Sequence, residues 1–206
     1  MMKAMHVRQL KHLTTASLLL CIQSPALAAT PPDSRQDEKA AAAYRKSAEA
    51  GNANAALQLG NLLFRGRVPI TRFGQPADWY RKGCDLGSLS ACHNAGYSYE
   101  SGTNGVARDV VEAANYYLKA AERAFLPSMA NLGALYANGL LLAADDVEGY
   151  KWLLIARLAA NQCAGMPMCQ SVIEDRQGHR GKLQSRLSAG EQRSAERMAM
   201  DWKPKD

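Results

Sequence analysis

Four cysteines beyond the first 28 residues, Cys84, Cys92, Cys163 and Cys169, are the side chains of this 206-residue chain best suited to covalent chemistry. Four cysteines admit three pairings into two disulfides. Zinc sites favour closer C-x2-C pairs with histidine help, whereas the histidines beyond residue 28 are His93 and His179 alone. The C-x-x-C pattern of redox dithiols is absent. Structural disulfides are therefore the expectation, with no metal and no cofactor.

Catalytic constellations are equally scarce. No serine has a lysine three residues later, the spacing that sets a lysine one helical turn from a β-lactamase nucleophile. H-E-x-x-H, G-x-S-x-G and the phosphate-binding glycine-rich loop are missing as well. His93 directly follows Cys92 and has no recognisable nucleophile in its motif context. Asp145 and Asp146 form an acidic pair, and Asp146 lies 37 residues after Asp109. An aspartate just before a helix more often caps it than does chemistry. The chain reads as a non-enzyme.

What must position these residues is a repeat. Tyr44-Arg-Lys-Ser-Ala-Glu-Ala-Gly51, Tyr80-Arg-Lys-Gly-Cys-Asp-Leu-Gly87 and Tyr117-Leu-Lys-Ala-Ala-Glu-Arg-Ala124 align at spacings of 36 and 37 residues. The columns Gly60, Gly96, Gly133 and Gly66, Gly102, Gly139 keep the same offsets, as do Lys46, Lys82 and Lys119. A weaker fourth copy starts at Tyr150-Lys-Trp-Leu-Leu-Ile-Ala156. Each unit reads as two helices: a first one such as 76–86, with Pro76 suited to its start, and a second over 53–64, 89–100 or 127–137. Neither helix alone can bury its apolar stripe, so neighbouring units must stack. The glycines at 60, 96 and 133 fall inside the second helix, where each costs about 1 kcal/mol relative to Ala. Their recurrence predicts a close approach of two helix backbones. Trp79, Tyr80, Tyr116, Tyr117 and Trp152 are expected core.

These motifs resemble the Sel-one-like repeat family, a relative of the tetratricopeptide repeats. Ala114-Asn-Tyr-Tyr-Leu-Lys-Ala-Ala-Glu122 is similar to its first helix and Leu132-Gly-Ala-Leu-Tyr136 to its second. Gly102-Thr-Asn-Gly-Val-Ala-Arg-Asp109 resembles its connecting loop, with one extra residue between the glycines. The likeness spans about residues 40–160 and departs from the pattern at Arg67 to Gln75 and in the fourth unit. It implies an all-α, right-handed α-solenoid of about four helix-turn-helix repeats with a C-terminal capping helix. Ser188, followed three residues later by Glu191, is a capping-box signature for that last helix.

The resemblance also bears on the cysteines. In a cysteine-rich, secreted branch of the family, a C-x7-C pair staples its own helix hairpin. Cys84 and Cys92 flank the Gly87 turn at that spacing, and Cys163 and Cys169 flank a Gly165-Met-Pro turn. Two local bridges are the implied pairing. The family further implies that first helices line a concave surface contacting another protein or peptide, with Arg45, Arg81, Asn115 and Lys151 as candidate contacts. The roles so implied are an adaptor, an immunity protein neutralising a type VI secretion effector, or a cell-wall or β-lactam-binding protein.

The first 28 residues read as a secretory signal. Lys3, Arg8 and Lys11 form a basic start, Leu13 to Ile22 is mostly apolar, and Pro25 precedes Ala26-Leu27-Ala28. The apolar run is about half of the roughly 20 residues that span a bilayer, so cleavage near Ala29 leaves no integral membrane segment. Cys21 follows three leucines, whereas lipid attachment prefers a small residue at that place. Export to the periplasm, or secretion, is the expectation. The formal charge of +6 loses those three basic residues, which leaves 22 bases against 19 acids and no case for nucleic acid. A hydrophobic content of 47% supports a packed core. The expected organisation is a signal peptide over 1–28, a flexible segment over 29–37 and a repeat domain over 38–203, with units 38–73, 74–109, 110–145 and 146–187 and a last helix 188–203.

Overall fold

The computed structural model describes residues 34–141, 146–162, 169–170 and 177–205. The first 28 residues, expected to be a signal peptide, together with Asp145 and Cys163, lie outside the described residues. Regular structure among the described residues is entirely helical. Helix α1 runs Ser34–Glu49 and α2 Ala53–Phe64. A short α3, Ile70–Phe73, precedes α4, Pro76–Asp85, and α5, Leu89–Ser101. Then come α6, Val110–Ala121, α7, Leu126–Ala137, and α8, Asp146–Asn161. Helices α9, Gln177–Arg186, and α10, Ala189–Asp201, end the array. The fold is a helical-repeat solenoid of helix-turn-helix units with C-terminal helices.

Local chemistry sets the helix boundaries. Asn52 and Ser88 accept from the backbone N–H groups of Ala55 and Ala91, capping α2 and α5, and Asp109 accepts from Glu112 N–H at the start of α6. Phe125 stands where α7 begins and supplies no side-chain cap, but Pro127 sits in the first turn, where a missing N–H costs nothing. The turn within each unit needs a positive φ: Gly51 takes +96°, Gly87 takes +95°, and in the third unit Ala124 is held at +65°.

Packing between units rests on the mid-helix glycines. A Cβ on Gly60 would stand 2.6 Å from the Tyr80 ring, and one on Gly96 would stand 2.7 Å from the Tyr117 ring. The close approach is therefore made by a ring of the next unit's first helix set against the glycine, not by two backbones alone. Tyr80 and Tyr117 are buried, as are Tyr116 and Trp152, whereas Trp79 is half-buried. A buried aromatic side chain stabilises by roughly 2–3 kcal/mol, more than a helical glycine costs. At the third junction a Cβ on Gly133 would stand 2.6 Å from Leu153, and a second glycine, Gly149 on α8, faces Tyr136 on α7 at 2.4 Å.

Two segments differ from the repeat pattern. Arg67 to Gln75, which lacks the family's loop element, buries Val68 and Phe73 against α1 and α2, and α3 forms there. The Trp79 indole N–H donates to Phe73 O at 2.6 Å and fixes this turn. Helix α1 starts at Ser34, inside the segment expected to be flexible, and Asp37 and Glu38 pair with Arg67 and Arg72. At the other end the capping box of Ser188 and Glu191 is present, with both bonds made. Arg186 binds Asp146 through two nitrogens and donates to the carbonyls of Tyr136 and Ala137, so one guanidinium ties α9 to the end of α7 and the start of α8. Asp146 thus serves an ion pair, while its repeat counterpart Asp109 caps a helix.

Candidate interaction surface

The four first-helix candidates occupy two neighbouring columns of the repeat, and each finds an acid one turn away on its own helix. Arg45 Nε lies 2.9 Å from Glu49, and Arg81 lies 3.6 Å from Asp78. The Asn115 amide donates to Glu112 at 3.2 Å, and the Lys151 ammonium pairs with Glu148. Lys151 is largely buried over the Trp152 ring, whose N–H also binds Glu148. Arg45, Arg81 and Asn115 are exposed. Tyr99 and, less strongly, Tyr116 and Asp78 push the Arg81 pKa further above its ordinary value, outweighing the opposing effect of burial. The Tyr99 and Tyr116 rings stack in parallel, 5.7 Å apart.

Cys84 and Cys92 form a disulfide that joins α4 to α5 across the Gly87 turn, with 4.5 Å between Cα atoms. Both sulfurs belong to a buried cluster with Tyr80, Ala95 and Tyr116. A loop this short is stabilised by about 2–3 kcal/mol in the chain-entropy model. Cys169 is buried and disulfide-bonded. His93 sits between the rings of Tyr117 and Phe125, and its Nδ1 is 3.1 Å from the Ser128 hydroxyl. Ser128 is fully buried, so this serine–histidine contact is closed to substrate.

A second surface, on α2 and α5, escaped sequence reasoning. Asn61, Phe64, Arg65, Tyr80, Asn94 and Tyr97 line a cleft of about 240 Å³. The Tyr80 hydroxyl donates to Asn61 Oδ1 at 3.1 Å and the Asn94 amide donates to the same oxygen at 3.4 Å. Burial pushes the Tyr80 phenol up to about 12, against the lowering effect of the Arg65 charge, so it remains a donor at neutral pH. Arg65 is exposed at the C-cap of α2. Only Asn61 and Tyr97 share a repeat column, and they differ in type, so no spacing in the sequence announced the cleft.

The Sel1 repeat model matches residues 53–88, 89–125 and 126–161, more than half of the chain. The chain belongs to the Sel1 repeat family. Each matched Sel1 repeat starts at a second helix and ends after the next first helix: α2 to α4, α5 to α6, α7 to α8. The family unit is thus the pair joined by glycine-on-ring packing, offset by one helix from the hairpins read from the tyrosine spacing. Among solved structures, a protective antigen present in uropathogenic Escherichia coli strains, with an SLR fold, is similar at 28% identity and a TM-score of 0.60, over 80% of this chain and 32% of that one. A Sel1 repeat protein from Oxalobacter formigenes is similar in fold, at 24% identity and a TM-score of 0.53, over 78% and 62%. The chain spans about a third of the first and less than two thirds of the second. No curated protein matches its sequence. Sel1 repeat proteins are typically non-catalytic scaffolds, and no group of three or more His, Cys, Asp or Glu is placed to hold a metal among the described residues. No described helix is long and apolar enough to cross a membrane.

Proposed function

We propose that this Sel1 repeat protein is an exported scaffold that acts by binding another protein in the periplasm or outside the cell. The Cys84–Cys92 disulfide carries this reading. Disulfides form and persist in oxidising compartments, and the basic start, apolar run and Ala26-Leu27-Ala28 of the first 28 residues supply a route there. The similar antigen is described as protective, which accords with export. Stacked helix pairs offer an extended surface suited to a protein or peptide, and Arg45, Arg81 and Asn115 are exposed polar contacts on it. Lys151 is a poorer contact, because its charge is spent on Glu148 and Trp152. A second local bridge, Cys163 with Cys169, belongs to the same proposal and is tested by disulfide mapping.

The test is affinity capture of the tagged, oxidised chain from the native envelope, with mass spectrometry of what is retained. One protein recovered at near-equal amounts supports the scaffold, and its identity separates an adaptor from a toxin inhibitor. Recovery of no protein by a folded, oxidised chain contradicts it.

A further inference from the structure

Three cations on the first helices, Arg45, Arg81 and Lys151, are neutralised at home, each beside an acid one turn away. Arg65 differs: among the described residues no acid pairs with it, and it is the one charged residue among those that line the α2–α5 cleft. Its C-cap position gives a modest favourable interaction with the helix dipole. That interaction uses none of the five guanidinium N–H donors. Asn61 lies four residues earlier on α2 and therefore on the same face. Two donors already occupy its Oδ1, so its orientation is fixed and its Nδ2 group is left to donate. The half-exposed rings of Phe64 and Tyr97, 55% and 48% accessible, form apolar walls. The volume of about 240 Å³ lies below the roughly 300–1,000 Å³ of small-molecule sites, so it suits a single side chain rather than a cofactor.

We propose that this cleft receives a carboxylate side chain from an extended acidic segment of the partner protein, with Arg65 as counter-charge and the Asn61 amide as hydrogen-bond donor. The inference rests on the scaffold reading and gives that partner its chemistry. An aspartate or glutamate flanked by an apolar residue matches one cation, one amide donor and two ring walls.

The test uses short capped peptides carrying Glu or Asp beside leucine, each with its Gln or Asn counterpart, measured by fluorescence anisotropy against the full oxidised chain. Acidic peptides should bind about fivefold more tightly than their amide counterparts, an advantage of the size expected for an exposed ion pair, and it should shrink with salt. Arg65→Gln should abolish the preference, whereas Arg72→Gln, which removes an exposed arginine already paired with Glu38 and outside both candidate surfaces, should keep it. Equal binding of acid and amide peptides, or a preference that survives Arg65→Gln, overturns the proposal. So does inorganic phosphate competing as well as the acidic peptide, because the cleft would then be a simple anion site. If envelope capture retains one partner equally with wild type and Arg65→Gln, the scaffold stands and the cleft proposal falls. If capture retains none, both fall.

Discussion

The first two inter-unit junctions and the third solve one packing problem in different ways. At α2–α4 and α5–α6 a tyrosine of the first helix lies on a glycine of the preceding second helix. At α7–α8 Leu153 replaces the tyrosine, and a second close contact forms from the other side, where the Cβ of Tyr136 rests on Gly149. The close approach of the helices is therefore the invariant feature of the solenoid, and the identity of the residue that fills it is not. A glycine is needed wherever a large side chain crosses from the neighbouring helix, on whichever helix that happens to be.

The largest expected effect breaks an aromatic junction outright. Tyr117 is fully buried and donates to Glu100 at 2.7 Å. Tyr117→Ala should cost about 3–5 kcal/mol, read as a drop in the midpoint of chemical denaturation. Leu153→Ala should fall toward the lower end of its own range of about 2–5 kcal/mol. A leucine variant as costly as the tyrosine variant would remove the distinction between the junctions.

Alkaline pH probes the α2–α4 junction without mutation, because Tyr80 titrates there. A phenol whose folded pKa is raised from 10.0 to about 12 favours the fold fully below pH 10. That contribution is lost as pH rises through 12, amounting to about 2–3 kcal/mol. Denaturation midpoints should fall across this window, and the fall should be smaller in Tyr80→Phe.

Glycine substitutions sharpen the comparison further. Gly96→Ala gains about 1 kcal/mol of helix propensity but pushes a methyl group into a rigid ring, for a net loss of about 1–2 kcal/mol. Gly149→Ala should match it, since the group it meets is the Cβ of Tyr136, which cannot swing away. Gly133→Ala should cost less, because the Leu153 side chain can pivot. Equal losses at all three sites, measured by thermal melting, would contradict the account.

The smallest effect lies in the turns. Ala124 holds a left-handed conformation that Gly51 and Gly87 adopt without strain. Ala124→Gly should raise stability by roughly 0.5–1 kcal/mol, a modest increase in melting temperature.

Much of the scaffold was legible because the repeat writes its packing into fixed columns. The tyrosine and glycine spacings marked the helices and their turns, and the Ser188–Glu191 spacing marked the last helix. Which groups meet across a junction was less legible: the glycine column was visible, but a periodicity does not say that a ring, rather than a backbone, fills the gap. Helix α3 was missed because Arg67 to Gln75 has no counterpart in the other units, and its order comes from burial of Val68 and Phe73. The Arg65 cleft was missed because Asn61 and Asn94 stand at different repeat positions and meet only when α2 and α5 stack. The first-helix contacts were chosen by exposure in the pattern alone, which cannot reveal that each is paired within its own helix.

Everything functional in this account depends on the chain working in an oxidising compartment outside the cytoplasm. Intact-mass spectrometry of the protein recovered from fractionated cells, after thiol alkylation, reads that directly. The account predicts a chain in the extracytoplasmic fraction that begins near Ala29 and carries no alkylated cysteine. A full-length chain in the cytoplasm with its cysteines alkylated would contradict it.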